Sequence, residues 1–397
     1  MAVIIGGTEE FPGKNNRLVG TEDEDFIFGD PYTTGAGFFD EESNPIDIPQ
    51  IGGALSSGRG GNDWIEGRGG FDEIYGDAWE IRGTAEGGND YLKGGGLVGD
   101  ADVMSGHARG GSDYLVGTGS HTRLVGDAFS MSDHARGGND LLDNSSGGVA
   151  SIVGDSGDTM SGSARGGDDW LIGGKMDDIL LGDGLNIVGI NIVDSARGGS
   201  DVLFGGAGND ELIGDAFSIG GHTRGGDDLL IGGAGNDVLE GDATYLISNA
   251  QGNARGGSDA LIGGAGEDRL VGDADIVGDH TQGGNDYLVG GEGDDILFGD
   301  FDLQASIDEG ITDFSNIVRG ADTFIFTPSS GLDNIGDFQS GKDTIDLSAY
   351  GITKFADLTI ETRAGATIID LDKRAANINE ITLDDIVSLR AGDFVFA

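Results

Sequence analysis

The sequence contains no cysteine and few aromatic side chains. Its 397 residues include 3 Trp and 5 Pro, and only 7% of them are aromatic. Without Cys the chain can form neither a disulfide nor a thiolate metal site. No apolar run approaches the roughly 18 residues of a membrane-spanning helix. The N-terminus lacks a basic segment followed by an apolar run of secretory length, so we expect any export signal to lie elsewhere in the chain.

Basic residues are also scarce. The chain carries 22 Lys and Arg against 71 Asp and Glu, which gives a net charge of -49. Such a charge argues against nucleic acid or an anionic membrane as a partner. Glycine, in contrast, contributes 79 residues. This composition also occurs in disordered acidic linkers, but the regular Leu, Ile and Val among the glycines favour a folded repeat.

The middle of the chain consists of nine-residue repeats, here called phrases. Two examples are GGAGNDELI at 205–213 and TRGGDDLLI at 223–231, which share Gly at position 4, Asp at position 6 and an apolar residue at position 8. Between them lies a third phrase, GDAFSIGGH, which begins with Gly-Asp. Three of the intervals between successive Gly-Asp phrases equal three nonapeptides. These phrases start at Gly76, Gly99, Gly126, Gly154, Gly182, Gly214, Gly241, Gly272 and Gly299.

The spacing of each nonapeptide predicts a turn followed by a very short strand. Glycines permit a tight turn with inward carbonyls, Asp at position 6 adds a carboxylate, and position 8 faces the interior. Stacked turns would bring these oxygen atoms together, and Ca²⁺ is the cation that best fits such ligands. Burial of one aliphatic side chain per repeat cannot offset the ordering of so many glycines, so we expect folding to require Ca²⁺.

Four phrases carry a family resemblance. GGAGNDELI, GGAGNDVLE, GGAGEDRLV and GGEGDDILF resemble the RTX nonapeptide GGxGxDxUx of calcium-binding β-rolls. The resemblance implies an all-β, right-handed parallel β-roll or β-solenoid that binds multiple Ca²⁺ ions between turns, through backbone carbonyls and the motif Asp. It also implies export by type I secretion machinery.

Carried over by motif position, the resemblance gives a set of candidate metal ligands. The carboxylates are Asp63, Asp72, Asp90, Asp113, Asp140, Asp169, Asp178, Asp201, Asp210, Asp228, Asp237, Asp259, Asp268, Asp286 and Asp295. The candidate carbonyl donors are Gly205, Ala207, Gly232 and Ala234. Asp25, in a degenerate copy at 20–28, is a further candidate.

Two coil lengths fit the repeat. The β-roll of the family has two nonapeptides per coil, about 18 residues, which would stack each phrase on an unlike neighbour. A coil of three phrases, about 27 residues, stacks like on like and favours a third side made by the Gly-Asp phrase. Longer copies such as GDGLNIVGINIVDS would then accept their insertions on that side.

Four further residue types recur at fixed positions. Histidine ends several Gly-Asp phrases, as at His107 and His134, where a turn role is expected rather than a transition metal. Arg occupies position 2 of many units, and we expect it to pair with Asp on neighbouring coils. The Gly-Asp aspartates fit either turn capping or calcium binding. Trp64 and Trp170 share position 7 and should face outward. The Arg positions are Arg109, Arg136, Arg165, Arg197, Arg224 and Arg255.

The composition predicts three regions. Residues 1–57 form an N-terminal cap with one degenerate repeat, 58–300 the dense repeats, and 301–397 a β-rich C-terminal cap. The last region resembles the end of serralysin-type secreted proteins. Its final stretch, TLDDIVSLRAGDFVFA, resembles an uncleaved type I secretion signal.

No catalytic motif accompanies the repeats. The sequence lacks HExxH and GxSxG, so we do not expect an enzyme. The favoured interpretation is a secreted bacterial calcium-binding protein with a structural role in a matrix, surface layer or filament, or with an adhesive role. It could then self-assemble or bind a cell-surface partner. An RTX-associated enzyme and a pore-forming toxin-like protein are the alternatives.

Overall fold

The computed structural model describes residues 3–5, 15–21, 25–29, 38–39, 45–46, 54–68, 71–188, 196–247, 252–371, 379–385 and 387–397. The chain divides into two compact units. The first unit comprises Met1–Gly174, Gly182–Ile190 and Asp194–Gly199, and the second comprises Lys175–Leu181, Asn191–Val193 and Ser200–Ala397. Each unit is a parallel β-solenoid with three sheets.

The first unit stacks short strands coil upon coil. Its first sheet contains Val3–Ile5, Phe26–Phe28, Glu73–Tyr75, Gly96–Val98, His121–Val125 and Val149–Val153. The second sheet contains Arg17–Val19, Trp64–Glu66, Tyr91–Gly94, Tyr114–Gly117, Leu141–Asp143 and Trp170–Gly174. The third sheet contains Ala54–Leu55, Glu80–Ile81, Ala101–Met104, Ala128–Met131, Ser156–Ser161 and Gly184–Val188. Phe38–Phe39 and Pro45–Ile46 form a separate antiparallel pair.

The second unit repeats the same arrangement. Its first sheet contains Ile179–Leu181, Glu211–Ile213, Val238–Glu240, Arg269–Val271, Ile296–Phe298, Leu332–Ile335, Glu380–Leu383, Ala366–Asp370 and Thr359–Arg363. The second sheet contains Val202–Ala207, Leu229–Ala234, Ala260–Ala265, Tyr287–Glu292, Thr323–Ile325, Thr344–Asp346 and Phe394–Val395. The third sheet contains Ala216–Gly220, Ala243–Ile247 and Ala274–Val277. The helical segments are Leu303–Asp308, Ser348–Tyr350, Phe355–Asp357 and Ala391–Asp393.

The strand register confirms the coil of three nonapeptides. Leu203 pairs with Leu230 in the second sheet, and Ala216 pairs with Ala243 in the third, so each partner lies three phrases further along the chain. Like phrases therefore stack on like, and the Gly-Asp phrase forms the third side of the coil. Longer coils keep the same partners, as where Ala243 pairs with Ala274. Residues 189–195 and 248–251, where we expected insertions, lie outside the described residues.

The core consists of apolar columns, because position 8 of each nonapeptide points inward in every coil. In the second unit these columns hold Leu203, Leu230, Leu261 and Leu288 on one sheet, and Leu212, Leu239, Leu270 and Leu297 on another, all fully buried. Ile219, Leu246 and Val277 close the third side. The predicted inward direction of position 8 is confirmed.

Parallel pairing continues beyond residue 300. Thr323 pairs with Tyr287 and with Thr344, so the second sheet extends into the segment that we expected to be a cap. Antiparallel pairing appears among Thr359–Arg363, Ala366–Asp370 and Glu380–Leu383. The change of strand direction therefore falls well after the end of the dense repeats.

Candidate metal centre

In the nonapeptides that keep an Asp at position 6, this residue, here called the corner Asp, lies at a turn immediately before a strand. The corner Asp residues form hydrogen-bonded columns along each unit. The backbone N–H of Asp210 donates to Oδ1 of Asp237 at 2.8 Å, one coil on. In the same way the N–H of Asp259 donates to Oδ1 of Asp286 at 2.7 Å. One carboxylate oxygen of each corner Asp is thus used to join successive coils.

The second oxygen of the corner Asp is buried and lacks a hydrogen-bond partner among the described residues. This applies to Oδ2 of Asp90, Asp113, Asp140, Asp210, Asp237, Asp259, Asp268, Asp286 and Asp295. Burial of a carboxylate oxygen without a hydrogen-bond donor destabilises the fold, because the oxygen loses its hydration and gains no interaction in return. A cation at each corner would compensate for that loss.

Backbone carbonyls lie beside these oxygens. A methyl group on Gly205 would lie 2.5 Å from Oδ2 of Asp210 and 2.7 Å from the carbonyl oxygen of Gly232. The next coil repeats this, since a methyl group on Gly232 would lie 2.5 Å from Oδ2 of Asp237 and 2.8 Å from the Gly263 carbonyl. Glycine at this position leaves the space open between two oxygen atoms of the kind that Ca²⁺ prefers.

The Gly-Asp phrase places a glycine beside a carbonyl oxygen and a corner Asp in the same way, at a second corner of the coil. A methyl group on Gly241 would collide with the carbonyl oxygen of Gly272 and with Oδ2 of Asp259. In the first unit Gly99 stands in the same relation to the Gly126 carbonyl and Asp113. The Arg-containing phrases from Arg109 onward have Ala or Thr at position 1, and the Gly-Asp glycine takes the place of the missing Gly. This explains why the third phrase always begins with Gly.

The Gly-Asp aspartates cap the following turn, which was one of their two expected roles. The N–H of Gly284 donates to Oδ1 of Asp273 at 2.6 Å, and that of Gly111 donates to Oδ2 of Asp100 at 2.9 Å. The other oxygen of each carboxylate is buried without a hydrogen-bond partner among the described residues. The capped turn is therefore lined by a second set of buried carboxylates.

Burial strongly perturbs the acidity of the columns. It raises the pKa of Asp268 to about 7 and the pKa of Asp295 to about 6. For Asp113 burial is again the largest cause of a pKa well above the ordinary value, and repulsion from Asp100 and Asp140 adds to it. Without a cation the columns resist ionisation, because the charged form has lost its hydration.

The candidate carbonyl donors fall into two groups. The Gly232 carbonyl and Oδ2 of Asp210 border the same space beside Gly205, and the role of Gly205 and Gly232 as ligands stays a prediction. Ala207 and Ala234 lie at the ends of paired strands. The Ala234 carbonyl accepts the N–H of Gly208 at 3.0 Å, so one of its lone pairs already joins two coils.

Three Asp residues outside the nonapeptide pattern, Asp322, Asp343 and Asp333, extend the columns. The N–H of Asp286 donates to Oδ1 of Asp322 at 3.0 Å, and that of Asp322 to Oδ1 of Asp343 at 3.2 Å. At the other corner the N–H of Asp295 donates to Oδ1 of Asp333 at 3.1 Å. The phrases RGAD, GLD and GKD are too short to match the nonapeptide, but each keeps a small residue near its Asp.

The expected pairing of the Arg column with Asp is wrong. Arg109, Arg136 and Arg165 are exposed and form no ion pair within the described part of the chain. The physical reason is the direction of the side chains, because the corner Asp side chain points into the turn while the Arg side chain points out into solvent. The outward positions of Trp64 and Trp170 are confirmed: Trp64 is half-buried and Trp170 is 53% exposed. His107 and His134 lie in turns and stack with ring centroids 4.9 Å apart.

The donor set fits a hard cation held mostly by single carboxylates and carbonyls. Over the described residues, no three His, Asp or Glu side chains gather at one point in a metal-binding arrangement. Backbone carbonyls, which glycine exposes at a corner, can supply additional ligands there. Oxygen-only ligands in a flexible turn suit Ca²⁺ better than Zn²⁺ or other transition metals.

One family model matches this pattern. The RTX calcium-binding nonapeptide repeat matches residues 13–31, 57–78, 163–184, 195–218, 222–243, 253–276 and 280–302. Repeats of this kind bind multiple Ca²⁺ ions. No curated protein matches the chain.

Proposed function

Starting from a chain of RTX calcium-binding nonapeptide repeats, we propose that this protein folds on Ca²⁺ outside the cell and serves there as a structural or adhesive component. The observation that carries the proposal is the buried oxygen of each corner Asp. Columns of such carboxylates run along each solenoid, and cations neutralise them. Folding and calcium binding are then one equilibrium.

The ligands at one corner can be named. Between the coils that begin at Gly205 and Gly232, Oδ2 of Asp210 and the carbonyl oxygen of Gly232 would hold an ion. At the opposite corner, Oδ2 of Asp259 and the Gly272 carbonyl would do so. Both sets recur in the next coil, so bound ions would follow the two corners along the unit.

Calcium-dependent folding suits a protein that works outside the cell. Proteins with RTX repeats are typically extracellular, where calcium is abundant. None of the helices in the described ranges is long and apolar enough to cross a membrane. The repeated coils offer long, regular outer surfaces, which support a structural or adhesive role better than a single compact site would.

Circular dichroism across a calcium titration tests the proposal. We expect little β signal in excess chelator and a cooperative gain on adding Ca²⁺, with Mg²⁺ at equal concentration a poor substitute. Isothermal titration calorimetry then gives the stoichiometry. A full β signature in excess chelator would contradict calcium-dependent folding. Light scattering of the calcium-loaded chain separates a self-assembling protein from a monomeric binder.

A further inference from the structure

The outer face of the second sheet in the first unit carries a column of aromatic side chains. Register places Trp64, Tyr91, Tyr114, Leu141 and Trp170 opposite one another on consecutive strands. The Trp64 and Tyr91 rings stack with centroids 5.7 Å apart, and Tyr91 meets Tyr114 edge to face at 5.4 Å. Tyr114 is 37% exposed and Trp170 is 53% exposed. The column is a largely aromatic strip on the outside of the solenoid, with Leu141 between Tyr114 and Trp170.

A column of guanidinium groups runs parallel to it. Isolated bridges join Arg109 to Arg136, Arg136 to Arg165 and Arg165 to Arg197, so the four Arg residues occupy equivalent positions. All four are exposed, and none forms an ion pair or side-chain hydrogen bond with a described residue. Three of them line a groove of about 230 Å³ together with His107 and His134.

The Arg column and the aromatic column come from two positions of the same phrase. Where a coil has both residues, the Arg precedes the aromatic residue by five positions, as Arg109 precedes Tyr114. Between them lies an exposed position that is mostly a neutral polar side chain. Its occupants are Asn89, Ser112, Asn139 and Asp168. The surface thus offers cations, hydrogen-bonding groups and aromatic rings in three parallel rows.

Exposed like charges in register are unfavourable without a partner. Neighbouring coils lie about 4.8 Å apart, so the guanidinium groups of the column repel one another unless a counter-charge lies between them. In a chain of net charge -49, Asp and Glu are plentiful, yet none pairs with these four Arg side chains in the described part of the chain. Such a row of free guanidinium groups is suited to carboxylates or sulfates that repeat along an extended molecule.

We propose that this face of the first unit binds an anionic polysaccharide. The exposed rings of Tyr114 and Trp170 stack on the apolar faces of the sugar rings, the Asn and Ser side chains bond the sugar hydroxyls, and the Arg column pairs with the acidic groups of the sugars. The coil spacing of about 4.8 Å is close to the length of one sugar unit, so successive sugars meet successive coils.

The large negative charge of the protein does not prevent this contact. Bound Ca²⁺ neutralises the buried carboxylates, and at physiological ionic strength charges beyond about 8 Å are largely screened. The local row of Arg side chains therefore determines which ligand approaches this face. The inference deepens the proposed adhesive role and rests on it, because the face forms only in the folded solenoid.

Affinity electrophoresis of the calcium-loaded full chain tests the proposal. Hyaluronan in the gel is the acidic probe, dextran the neutral control, and single-stranded oligo(dT) a polyanion of different chemistry. We expect hyaluronan to retard the protein and dextran to leave it unchanged. We expect the triple variant R109Q/R136Q/R165Q, and separately Tyr114→Ala, to weaken binding at least tenfold. Arg224→Gln and Tyr287→Ala, exposed residues of the second unit, serve as matched controls and should bind as the parent does.

Circular dichroism with and without Ca²⁺ is recorded for every variant, so a failure of calcium-dependent folding is distinguished from a failure of sugar binding. Equal binding by the parent and the triple variant, or no retardation by hyaluronan, overturns the proposal. Retardation by oligo(dT) alone overturns it in favour of nucleic acid. A concentration-dependent dimer that Trp170→Ala abolishes, seen by sedimentation, overturns it in favour of a second copy of the chain.

Discussion

The backbone N–H of Asp237 donates to Oδ1 of Asp268 at 2.9 Å, across two successive coils of the second unit. Oδ2 of Asp268 is left buried without a hydrogen-bond partner in the described part of the chain. One oxygen of this carboxylate therefore holds the solenoid together, and the other requires an ion. Because the two oxygens have these two different roles, a carboxylate with two equivalent oxygens, Asp, recurs at position 6.

Replacing one corner Asp by Asn should separate these two roles. In Asp237→Asn the amide oxygen still accepts the N–H of Asp210, while an N–H₂ group replaces Oδ2 and faces the Gly263 carbonyl. We expect the calcium midpoint for folding to rise severalfold, and the residual β signal in chelator to stay equal or increase. Circular dichroism at graded free Ca²⁺ measures both.

Asp227→Asn is the matched control for that variant. Asp227 is exposed, and its Oδ1 accepts the N–H of Ser258 at 2.9 Å, which Asn also allows. Its calcium midpoint should equal that of the parent protein. If Asp227→Asn shifts the midpoint as far as Asp237→Asn does, net charge rather than the corner site controls folding.

A methyl group at a Gly-Asp glycine should weaken the solenoid even at saturating calcium. In Gly241→Ala the new Cβ collides with the Gly272 carbonyl and with Oδ2 of Asp259, so the coils must separate. We expect a lower melting temperature and fewer bound ions by calorimetry. Gly392→Ala is the control, since no atom lies within 4 Å of its added methyl group. A Gly241→Ala protein with parental stability and stoichiometry would show that this space is not a site.

Acid should stabilise the ion-free fold. Burial raises the pKa of Asp210 to about 6 and that of Asp268 to about 7, from an ordinary value of 3.8. Because these pKa values are raised, their contribution to stability is complete below pH 4 and is lost as the pH rises through 6 to 7. In excess chelator we therefore expect more β signal at pH 4.5 than at pH 8.

Protons and Ca²⁺ compete for the same oxygens of the folded chain. At a fixed, limiting Ca²⁺ concentration, the number of ions bound per folded chain, measured by calorimetry, should therefore fall as the pH falls from 8 to 5, while the protonated carboxylates keep the chain folded. A β signal in chelator that decreases steadily from pH 8 to pH 4.5 would contradict the assigned pKa directions. The Asp237→Asn protein should show a weaker pH dependence than the parent.

Truncation of one core side chain should destabilise the calcium-loaded fold. Leu230 is fully buried in the column between Leu203 and Leu261. Leu230→Ala should cost about 2–5 kcal/mol, measured by urea unfolding in calcium. Ile296→Ala, at a site 45% exposed on the outer face, should change stability by less than about 0.5 kcal/mol. Equal effects in the two variants would contradict the assigned core.

The sequence determines the nonapeptide turn and its inward position because the nonapeptide period is a local property. Gly, Asp and an apolar residue recur in every nonapeptide, and a short strand can only alternate its side chains, so the inward position follows. The turn and the inward position depend on spacing along the chain, which the sequence shows directly. The recurrence of the Gly-Asp phrase favours three nonapeptides per coil over two, and the strand register decides between them.

The pairing of oxygen atoms across coils could be decided only by the tertiary structure. Asp259 lies beside the Gly272 carbonyl because two different phrases, separate along the chain, meet at one corner of the solenoid. The free Arg column has the same origin, since Arg109 and Asp113 are neighbours in sequence but leave the turn in opposite directions. Composition suggested that such Arg side chains pair with Asp. The Arg side chains are exposed because of the direction in which they leave the turn, and the spacing of residues along the chain does not predict that direction.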